Sequence, residues 1–380
     1  MYNECDLVRI AKRENNKKRN YLVVNRLQGK HIPVIPSEAF NMFNELCAKV
    51  KAAHKDERLL LIGFAETATA IGAAVACGMD CIYMHTTRET LPGADYIFFS
   101  EEHSHATQQK LISNNLNKLS NEVDRIIFIE DEVTTGKTIL NIISALKQKY
   151  PQICNYSVAS LLNGMDDTCL KKYSEENIDL IYLVKTDHKK YSQIAEKYTG
   201  NGKYTDCTSH ISGNTDYNIC ELDYTTCNMN TRKPVYTKDY IKANEALWDH
   251  IRHDINLSCF KNILVIGTEE FMYPALFTAS EIEKMKINVR CHSTTRSPIT
   301  VSSEPEYPLH TRYTLNSFYD SERITYIYDL AKYDCVIIMT DTCFKSPCHP
   351  DSLNAGINSL VKALEMNDNN NIYIIKWNNL

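Results

Sequence analysis

Residues 126–138 read Ile-Ile-Phe-Ile-Glu-Asp-Glu-Val-Thr-Thr-Gly-Lys-Thr, and no other segment says more about the architecture of the chain. It opens with an apolar run typical of a buried strand, and apolar residues recur at helical spacing from Ile139 to Leu146. The turn between strand and helix therefore lies at a helix N-terminus, where backbone N–H groups and the helix dipole favour an anion. We expect a phosphate to bind this turn, which consists of Thr134, Thr135, Gly136, Lys137 and Thr138.

Two acidic residues, Glu130 and Asp131, stand directly before this turn. Their carboxylates can accept hydrogen bonds from the vicinal hydroxyls of a ribose whose phosphate lies on the turn, so the segment predicts a ribose 5-phosphate site. A Walker A loop is the nearest competing motif, but Asp131 occupies the position where that motif needs its first glycine. A strand, turn and helix without any ligand would show the same pattern, and this alternative stays open.

The composition is that of a soluble globular protein. With 380 residues, 43% of them hydrophobic, the chain can bury one large core or two ordinary ones. A net charge of -5 without a long Lys/Arg tract argues against nucleic acid as the main partner. No apolar run reaches the roughly 18 residues of a membrane helix and the N-terminus lacks signal-peptide features, so we expect a cytoplasmic protein without a membrane partner. The 14 cysteines are scattered through apolar runs, which predicts buried thiols and no structural disulfides.

Strands alternate with helices along the chain, a pattern that predicts a parallel sheet with helices on both faces. Strands of the first half are expected at 21–25, 58–63, 80–84, 96–99, 125–129, 156–162 and 180–184. A helix is expected after an N-cap at Ser37, and an Ala-rich one at 67–77. Later elements are expected as helices at 240–253, 274–284 and after Ser352, and as strands at 262–267, 287–291, 335–340 and 372–375. We therefore predict two α/β domains, 1–185 and 239–380, joined by a connector or irregular subdomain at 186–238.

A second candidate anion loop joins the predicted strand that ends at Gly63 to the Ala-rich helix. Small residues allow the backbone to approach a ligand closely and the helix to pack tightly on the sheet. The loop residues are Ala65, Glu66, Thr67, Ala68 and Thr69. Arg88, at the end of the next strand, could supply positive charge to the same anion, or could simply pair with Glu89 at the surface.

The two halves of the chain echo each other. Segments 60–63, 85–88 and 124–131 recur at similar separations as 264–267, 293–296 and 334–341. The echo predicts a duplicated fold in which the second copy has lost its phosphate turn, because Phe-Lys-Ser-Pro-Cys at 344–348 replaces Thr-Thr-Gly-Lys-Thr. Chance similarity between ordinary α/β strands is the alternative.

Four segments together resemble one family. They are Gly-Phe-Ala-Glu-Thr-Ala-Thr at 63–69, Glu-Glu-His-Ser-His-Ala-Thr at 101–107, the acidic motif at 126–138, and Thr-Arg-Ser-Pro at 295–298. The chain resembles bacterial type I phosphoribosyltransferases with an attached TRSP domain, which are linked to ter (tellurite-resistance type) gene clusters and described as orotate-phosphoribosyltransferase-like. The resemblance spans most of the chain. It implies an α/β fold with a type I parallel sheet flanked by helices, followed by a second, degenerate α/β domain of the same kind.

The resemblance also implies a reaction. Such an enzyme transfers ribose 5-phosphate from phosphoribosyl diphosphate (PRPP) to a nitrogenous base or base-like acceptor, and it releases pyrophosphate with the help of Mg²⁺. The loop at 65–69 and Arg88 would then bind pyrophosphate, while Glu130 and Asp131 would orient the ribose and reach the metal through water. Glu66 is unusual in such a loop, because its charge would repel pyrophosphate unless a cation intervenes. A PRPP-responsive regulator without turnover, or an enzyme that cleaves nucleotides, would carry the same motifs.

The remaining candidates depend on the same resemblance. His103 and His105 fall where the family has a mobile loop over the site, and either could donate a proton to the leaving pyrophosphate. The residues that resemble the hood over the acceptor are Gln28, Lys30 and His31. Arg296 and Ser297 are anion candidates of the second domain. A homodimer is possible.

A zinc site is conceivable in the connector but poorly defined. Its candidate ligands would be Cys207, His210, Cys220 and Cys227. Their spacing lacks the paired short loops of a zinc knuckle, so whether the connector binds a metal stays open.

Overall fold

The structure is a computed structural model that describes residues 2–14, 16, 19–99, 109–209, 218–225, 229–342 and 350–378. It divides into two compact, discontinuous units. The first unit comprises Met1–Glu4, Phe40–His188 and Met229–Lys242, and the second comprises Cys5–Ala39, Lys189–Asn228 and Ala243–Leu380. These units differ from the continuous division expected from the sequence chiefly in that residues 5–39 join the second one. The domain boundaries near 185 and 238 stay predictions.

The helices and strands alternate as the apolar pattern predicts. The helices are α1 Glu4–Leu7, α2 Pro36–Ala53, α3 Thr69–Cys77, α4 Leu116–Leu119, α5 Lys137–Lys149, α6 Asp167–Glu175, α7 Tyr191–Glu196, α8 Thr237–Asp254, α9 Tyr273–Lys284 and α10 Pro350–Glu365. The strands are β1 Val8–Lys12, β2 Tyr21–Asn25, β3 Leu59–Gly63, β4 Ile82–His85, β5 Tyr96–Phe99, β6 Gln109–Ile112, β7 Arg125–Val133, β8 Asn155–Asn163, β9 Ile178–Lys185, β10 Lys203–Asp206, β11 Asn218–Tyr224, β12 Val235–Tyr236, β13 Asn262–Gly267, β14 Asn288–Ser293, β15 Thr311–Asn316, β16 Ile324–Tyr328, β17 Cys335–Thr340 and β18 Asn371–Trp377.

The first unit is built on one sheet with the strand order β12-β4-β3-β7-β8-β9. All neighbouring pairs from β4 to β9 are parallel, and only β12 runs antiparallel to its neighbour. The apolar run of β3 is buried throughout, as expected for a parallel strand covered on both faces. Because β3 and β7 are adjacent and parallel, the loops that follow them emerge at the same edge of the sheet.

The second unit is built on a parallel sheet with the strand order β11-β18-β17-β13-β14. Helices α8, α9 and α10 connect or precede its strands, and a smaller sheet, β10-β15-β16, packs its buried face on α10. The N-terminal hairpin β1-β2 also belongs to this unit. Its buried Ala11 and Val24 share a core cluster with Tyr307 and Tyr328.

The start of α2 differs from the expectation. The helix begins at Pro36, so Ser37 lies inside it and is not the N-cap. The Ser37 N–H and hydroxyl both donate to the Glu283 carboxylate, at 2.8 and 2.6 Å. A carboxylate from α9 thus takes the place of a local N-cap side chain, which is a tertiary contact that sequence spacing does not reveal.

The two sheets repeat the same topology. In the first unit the order β4-β3-β7-β8 corresponds to β14-β13-β17-β18 in the second, with a helix after the first and third strands in chain order and a hairpin after the second. The backbone repeats in detail as well. The Thr86 N–H donates to Gly63 O at 2.9 Å, and the Thr294 N–H donates to Gly267 O at 3.1 Å. The shared topology supports the predicted duplication and argues against chance similarity.

Two further findings concern the described ranges only. None of their helices is both long and apolar enough to cross a membrane. Their cysteines are all free thiols.

Candidate active site

The predicted phosphate turn precedes α5 with a glycine at the N-cap, and the Lys137 N–H donates to the Thr135 hydroxyl at 3.4 Å. Gly136 precedes the helix in the left-handed conformation, with φ +68°, and the Tyr173 hydroxyl donates to its carbonyl oxygen at 2.7 Å. A Cβ atom at this position would overlap the Tyr173 hydroxyl. Glycine is therefore required both by the backbone conformation and by the packing. Binding of a phosphate at the N-terminus of α5 stays a prediction.

The acid pair lies beside both candidate loops. Glu130 and Asp131 are partly buried at the end of β7, and the Thr67 hydroxyl donates to Asp131 Oδ1 at 3.0 Å. This hydrogen bond joins the loop after β3 to the acids before the phosphate turn. Burial, together with the neighbouring negative charge of Glu132, raises the pKa of Asp131 to about 6, although the Thr67 hydrogen bond acts to lower it. A cation beside Asp131 would offset this cost, so the donor set fits Mg²⁺.

The loop after β3 is held by two buried polar side chains. Thr86 Oγ1 accepts from the Ala65 N–H at 2.9 Å and donates to Gln109 Oε1 at 2.7 Å. Gln109 Nε2 in turn donates to Ala65 O at 2.8 Å. The Ala65–Glu66 peptide bond is cis. Sequence reasoning missed Gln109, because it lies on β6, a strand that the apolar pattern did not reveal.

Two charged candidates stand on the segments that follow β3 and β4, and their contact with an anion stays a prediction. Glu66 is buried in the loop, so its charge bears on any anion held there. Arg88 is half-buried just after β4, the strand on the other side of β3. Ala68 and Thr69 are buried at the start of α3, and the Thr69 hydroxyl donates to Glu66 O at 3.1 Å.

A third acidic residue, Glu132, follows the acid pair and was not among the residues predicted for the site. Glu132, next to the acid pair, lies 3.3 Å from the imidazole of His188, with Oε1 facing Nε2. His188 follows β9 and is far from the motif in sequence. Only the sheet order brings the two side chains together.

The predicted hood residues lie in the second unit. Gln28, Lys30 and His31 are all buried there. The Lys30 ammonium donates to Glu269 O at 3.1 Å and to Thr294 O at 3.0 Å. Their contact with an acceptor stays a prediction.

In the second unit, the loop after β13, which corresponds to the loop after β3, is occupied by ion pairs. Arg296 Nε donates to Glu269 Oε2 at 2.7 Å, and its terminal NH2 lies 3.2 Å from Glu270 Oε1. Arg323 also pairs with Glu269, at 2.9 Å. Ser297 donates its N–H to Thr295 Oγ1 at 3.2 Å. An anion role for Arg296 and Ser297 stays a prediction, and it would require these pairs to open.

Some predicted ligands fall outside the described residues. His103 and His105 do so, as do His210 and Cys227 of the connector. Cys207 is buried and Cys220 is exposed. In the ranges that the structure describes, no three His, Cys, Asp or Glu side chains converge as metal ligands. A Mg²⁺ ion held mainly by substrate oxygens and water needs no such cluster.

Two family profiles match the chain. The profile described as "Phosphoribosyl transferase" matches residues 7–187, and that of the "TRSP domain C terminus to PRTase_2" matches residues 236–355. Residues 7–187 thus belong to the phosphoribosyl transferase family, and residues 236–355 to the TRSP domain that follows it in this family. This confirms the predicted family and its two-part architecture. As a phosphoribosyl transferase, the protein is a transferase enzyme.

Similar solved structures cover about half of this chain. APRTase from Giardia lamblia with 9-deazaadenine is 13% identical with a TM-score of 0.35, over 48% of this chain and 95% of that one. Adenine phosphoribosyl transferase from Trypanosoma brucei is 13% identical with a TM-score of 0.33, over 47% and 76%. Orotate phosphoribosyltransferase from Aeropyrum pernix is 14% identical with a TM-score of 0.29, over 47% and 84%. No curated protein sequence matches the chain.

Proposed function

We propose that the first unit is a Mg²⁺-dependent phosphoribosyltransferase that uses PRPP. It transfers ribose 5-phosphate to a nitrogenous base or base-like acceptor and releases pyrophosphate. The observation that carries this proposal is the hydrogen bond between Thr67 and Asp131. It joins the carboxylates that we propose to bind ribose to the loop after β3. This supports the proposal, because a substrate with a phosphate at one end and a pyrophosphate at the other needs the ribose site between two anion loops.

Each part of PRPP has a matching set of residues in this proposal. The 5-phosphate binds the N-terminus of α5 through the turn 134–138, and the ribose hydroxyls donate to Glu130 and Asp131. The pyrophosphate binds the loop 65–69, with Arg88 supplying positive charge. Bound Mg²⁺, held by pyrophosphate oxygens and through water by Glu130 and Asp131, would neutralise negative charge that develops on the leaving group. Thr86 and Gln109 do not contact the pyrophosphate in this proposal. They hold the loop on which it lies.

The first experiment is calorimetric titration of PRPP with Mg²⁺. We expect the wild-type protein to bind, and the double variant Glu130→Gln, Asp131→Asn to lose at least about tenfold in affinity because the ribose loses two charged acceptors. The duplicated fold offers a matched control. Asp341 stands in the second copy where Asp131 stands in the first, and it accepts from the Tyr319 hydroxyl at 2.7 Å. The variant Asp341→Asn should bind PRPP like the wild type.

Pyrophosphate release with a panel of purine, pyrimidine and other nitrogenous acceptors then separates the functions. Binding with release for one acceptor supports the transferase and identifies its substrate. Binding without release would favour a PRPP-responsive regulator. Unchanged affinity in the double variant would overturn the site assignment, and no binding at all would overturn the proposed function.

A further inference from the structure

The end of β7 sends its acidic side chains to opposite sides. Asp131 reaches Thr67, in the loop after β3, at 3.0 Å. Glu132 reaches the other way, past the end of β8, to His188 beyond β9, at 3.3 Å. The strand order β3-β7-β8-β9 therefore separates a pyrophosphate side from a second polar side. Polar side chains therefore lie on both sides of this sheet edge.

Glu132 and His188 lie side by side in a largely enclosed position. Both side chains are largely buried, with 11% and 14% of their surfaces exposed. The His188 Nε2 atom also lies 2.8 Å from Thr186 Oγ1. The imidazole packs directly on Gly164, where a Cβ atom would overlap it. A glycine at the end of β8 thus makes room for the ring that positions Glu132.

Reaction geometry assigns a role to this second side. In a single displacement at an anomeric carbon, the acceptor attacks from the face opposite the leaving group. If the pyrophosphate leaves on the side of β3, the acceptor must arrive on the side of β8 and β9. That is the side on which Glu132 and His188 lie. This step depends on the function proposed above.

We infer that Glu132 and His188 select the acceptor, and that they favour an uncharged nitrogenous ring with N–H donors over one that carries a carboxylate. A largely buried carboxylate accepts hydrogen bonds from N–H groups, and it repels a second negative charge. Lys185, at the end of β9, does not offset this charge at the pair itself, since its ammonium donates to Met165 O at 2.6 Å. Glu132 is a specificity residue, and His188 is a positioning residue that acts through it.

The test compares matched acceptors that differ by one carboxylate. Nicotinamide is paired with nicotinate and uracil with orotate, and pyrophosphate release is measured with PRPP and Mg²⁺. For the pair that the enzyme uses, we expect kcat/KM to be at least about tenfold higher for the uncharged member. Glu132→Gln should reduce this ratio at least about tenfold and leave the Kd of PRPP unchanged. The control, Glu176→Gln, removes an exposed carboxylate that pairs with Lys147 and should change neither quantity.

Other outcomes are decisive as well. If no acceptor turns over, calorimetric binding of the same pairs to the PRPP-loaded protein gives the ratio. If Glu132→Gln does not fold, His188→Asn replaces it, with a raised KM for the acceptor and an unchanged Kd for PRPP as the expected result. Preference for the carboxylated member, no acceptor binding, or a ratio and KM that these variants leave unchanged would defeat this inference alone. Failure to bind PRPP would defeat the proposed function and the inference with it.

Discussion

At the scale of single residues, Asp131 combines the binding role proposed for it with a cost in stability. Its pKa is raised to about 6 by burial and by the charge of Glu132. Between about pH 4 and pH 6 the unfolded chain has already ionised this group while the folded protein still holds the proton. Stability therefore falls as the pH rises through this window, by at most about 3 kcal/mol.

The first prediction follows from that sign. Without PRPP and Mg²⁺, Asp131→Asn should raise the free energy of unfolding at pH 8 by about 1–3 kcal/mol and change it little at pH 4. Urea denaturation followed by circular dichroism measures both values. Asp124→Asn serves as a control of opposite sign, because hydrogen bonds from Arg58 lower the pKa of Asp124 to about 2, so its loss should destabilise at pH 8. A variant of Asp131 that is less stable at pH 8 would contradict the prediction.

The glycine before α5 gives a second prediction at this scale. Gly136 and Gly93 both have φ +68°, but a Cβ atom at Gly136 would overlap Tyr173, whereas nothing lies within 4 Å at Gly93. Gly93→Ala should cost about 1 kcal/mol, from backbone strain alone. Gly136→Ala should cost roughly 2–4 kcal/mol and weaken PRPP binding, because the clash moves the turn. Thermal melting and PRPP titration compare the two variants, and equal costs would show that the overlap is relieved without consequence.

At the scale of elements, the loop after β13 in the second copy carries a buried group of ion pairs. Glu269 and Glu270 stand there, and Arg296 bonds both of them. The Arg296 side chain is 8% exposed and those of the two acids 1% or less. Arg296→Met should cost about 3–5 kcal/mol, since it removes the cation that bonds both buried carboxylates. Its control is Lys284→Met, which removes an exposed pair with Glu281 and should cost under about 1 kcal/mol. Denaturant unfolding measures the free energy of unfolding of both variants. If Arg296→Met lost no more of it than Lys284→Met does, the buried pairs would not have the stabilising role assigned to them.

The sequence predicted the elements best where burial is two-sided. The strands at 262–267 and 335–340 were predicted with their observed ends, because a short continuous apolar run is typical of a parallel strand buried on both faces. β7 was predicted to end at Ile129, yet it continues to Val133, since the ladder with β8 pairs Glu130 with Ser160 and Glu132 with Leu162. The β15-β16 hairpin was missed because its strands alternate buried and half-exposed residues. Such short alternating runs resemble connecting loops.

The candidate site was predictable only in part, for a related reason. Its two anion loops are local motifs, and their residues can be read from adjacent positions. Gln109 lies on β6 and His188 follows β9, so no spacing in the sequence connects them with Ala65 or Glu132, which they contact. Contacts that the sheet order creates become visible only once the sheet is known.

At the scale of the whole molecule, the two units can be followed separately. The sequence contains two tryptophans, Trp248 and Trp377, and both belong to the second unit, where they are buried. Tryptophan fluorescence therefore reports the unfolding of that unit alone. A protein of two compact units need not unfold in one step. The fluorescence signal can be analysed for the second unit alone, without assuming that both units unfold together.

The last prediction concerns His292, buried in the second unit with Nε2 2.9 Å from Tyr328 O. Burial lowers its pKa to about 4, and the Lys30 ammonium contributes to the decrease. From about pH 6.5 down to about pH 4, the unfolded chain takes up a proton that the folded unit refuses, so stability is lost as the pH falls. The loss should amount to at most about 3 kcal/mol, and it runs opposite to the effect of Asp131 in the first unit.

Urea unfolding monitored by tryptophan fluorescence at pH 7 and pH 4.5 measures this loss. His292→Gln should flatten the dependence on pH, whatever its own effect on stability, because the residue no longer titrates. His250→Gln, which replaces an exposed histidine on α8, should retain the dependence of the wild type. If His292→Gln loses as much stability on acidification as the wild type does, the acid sensitivity of the second unit lies in its carboxylates and not in this imidazole.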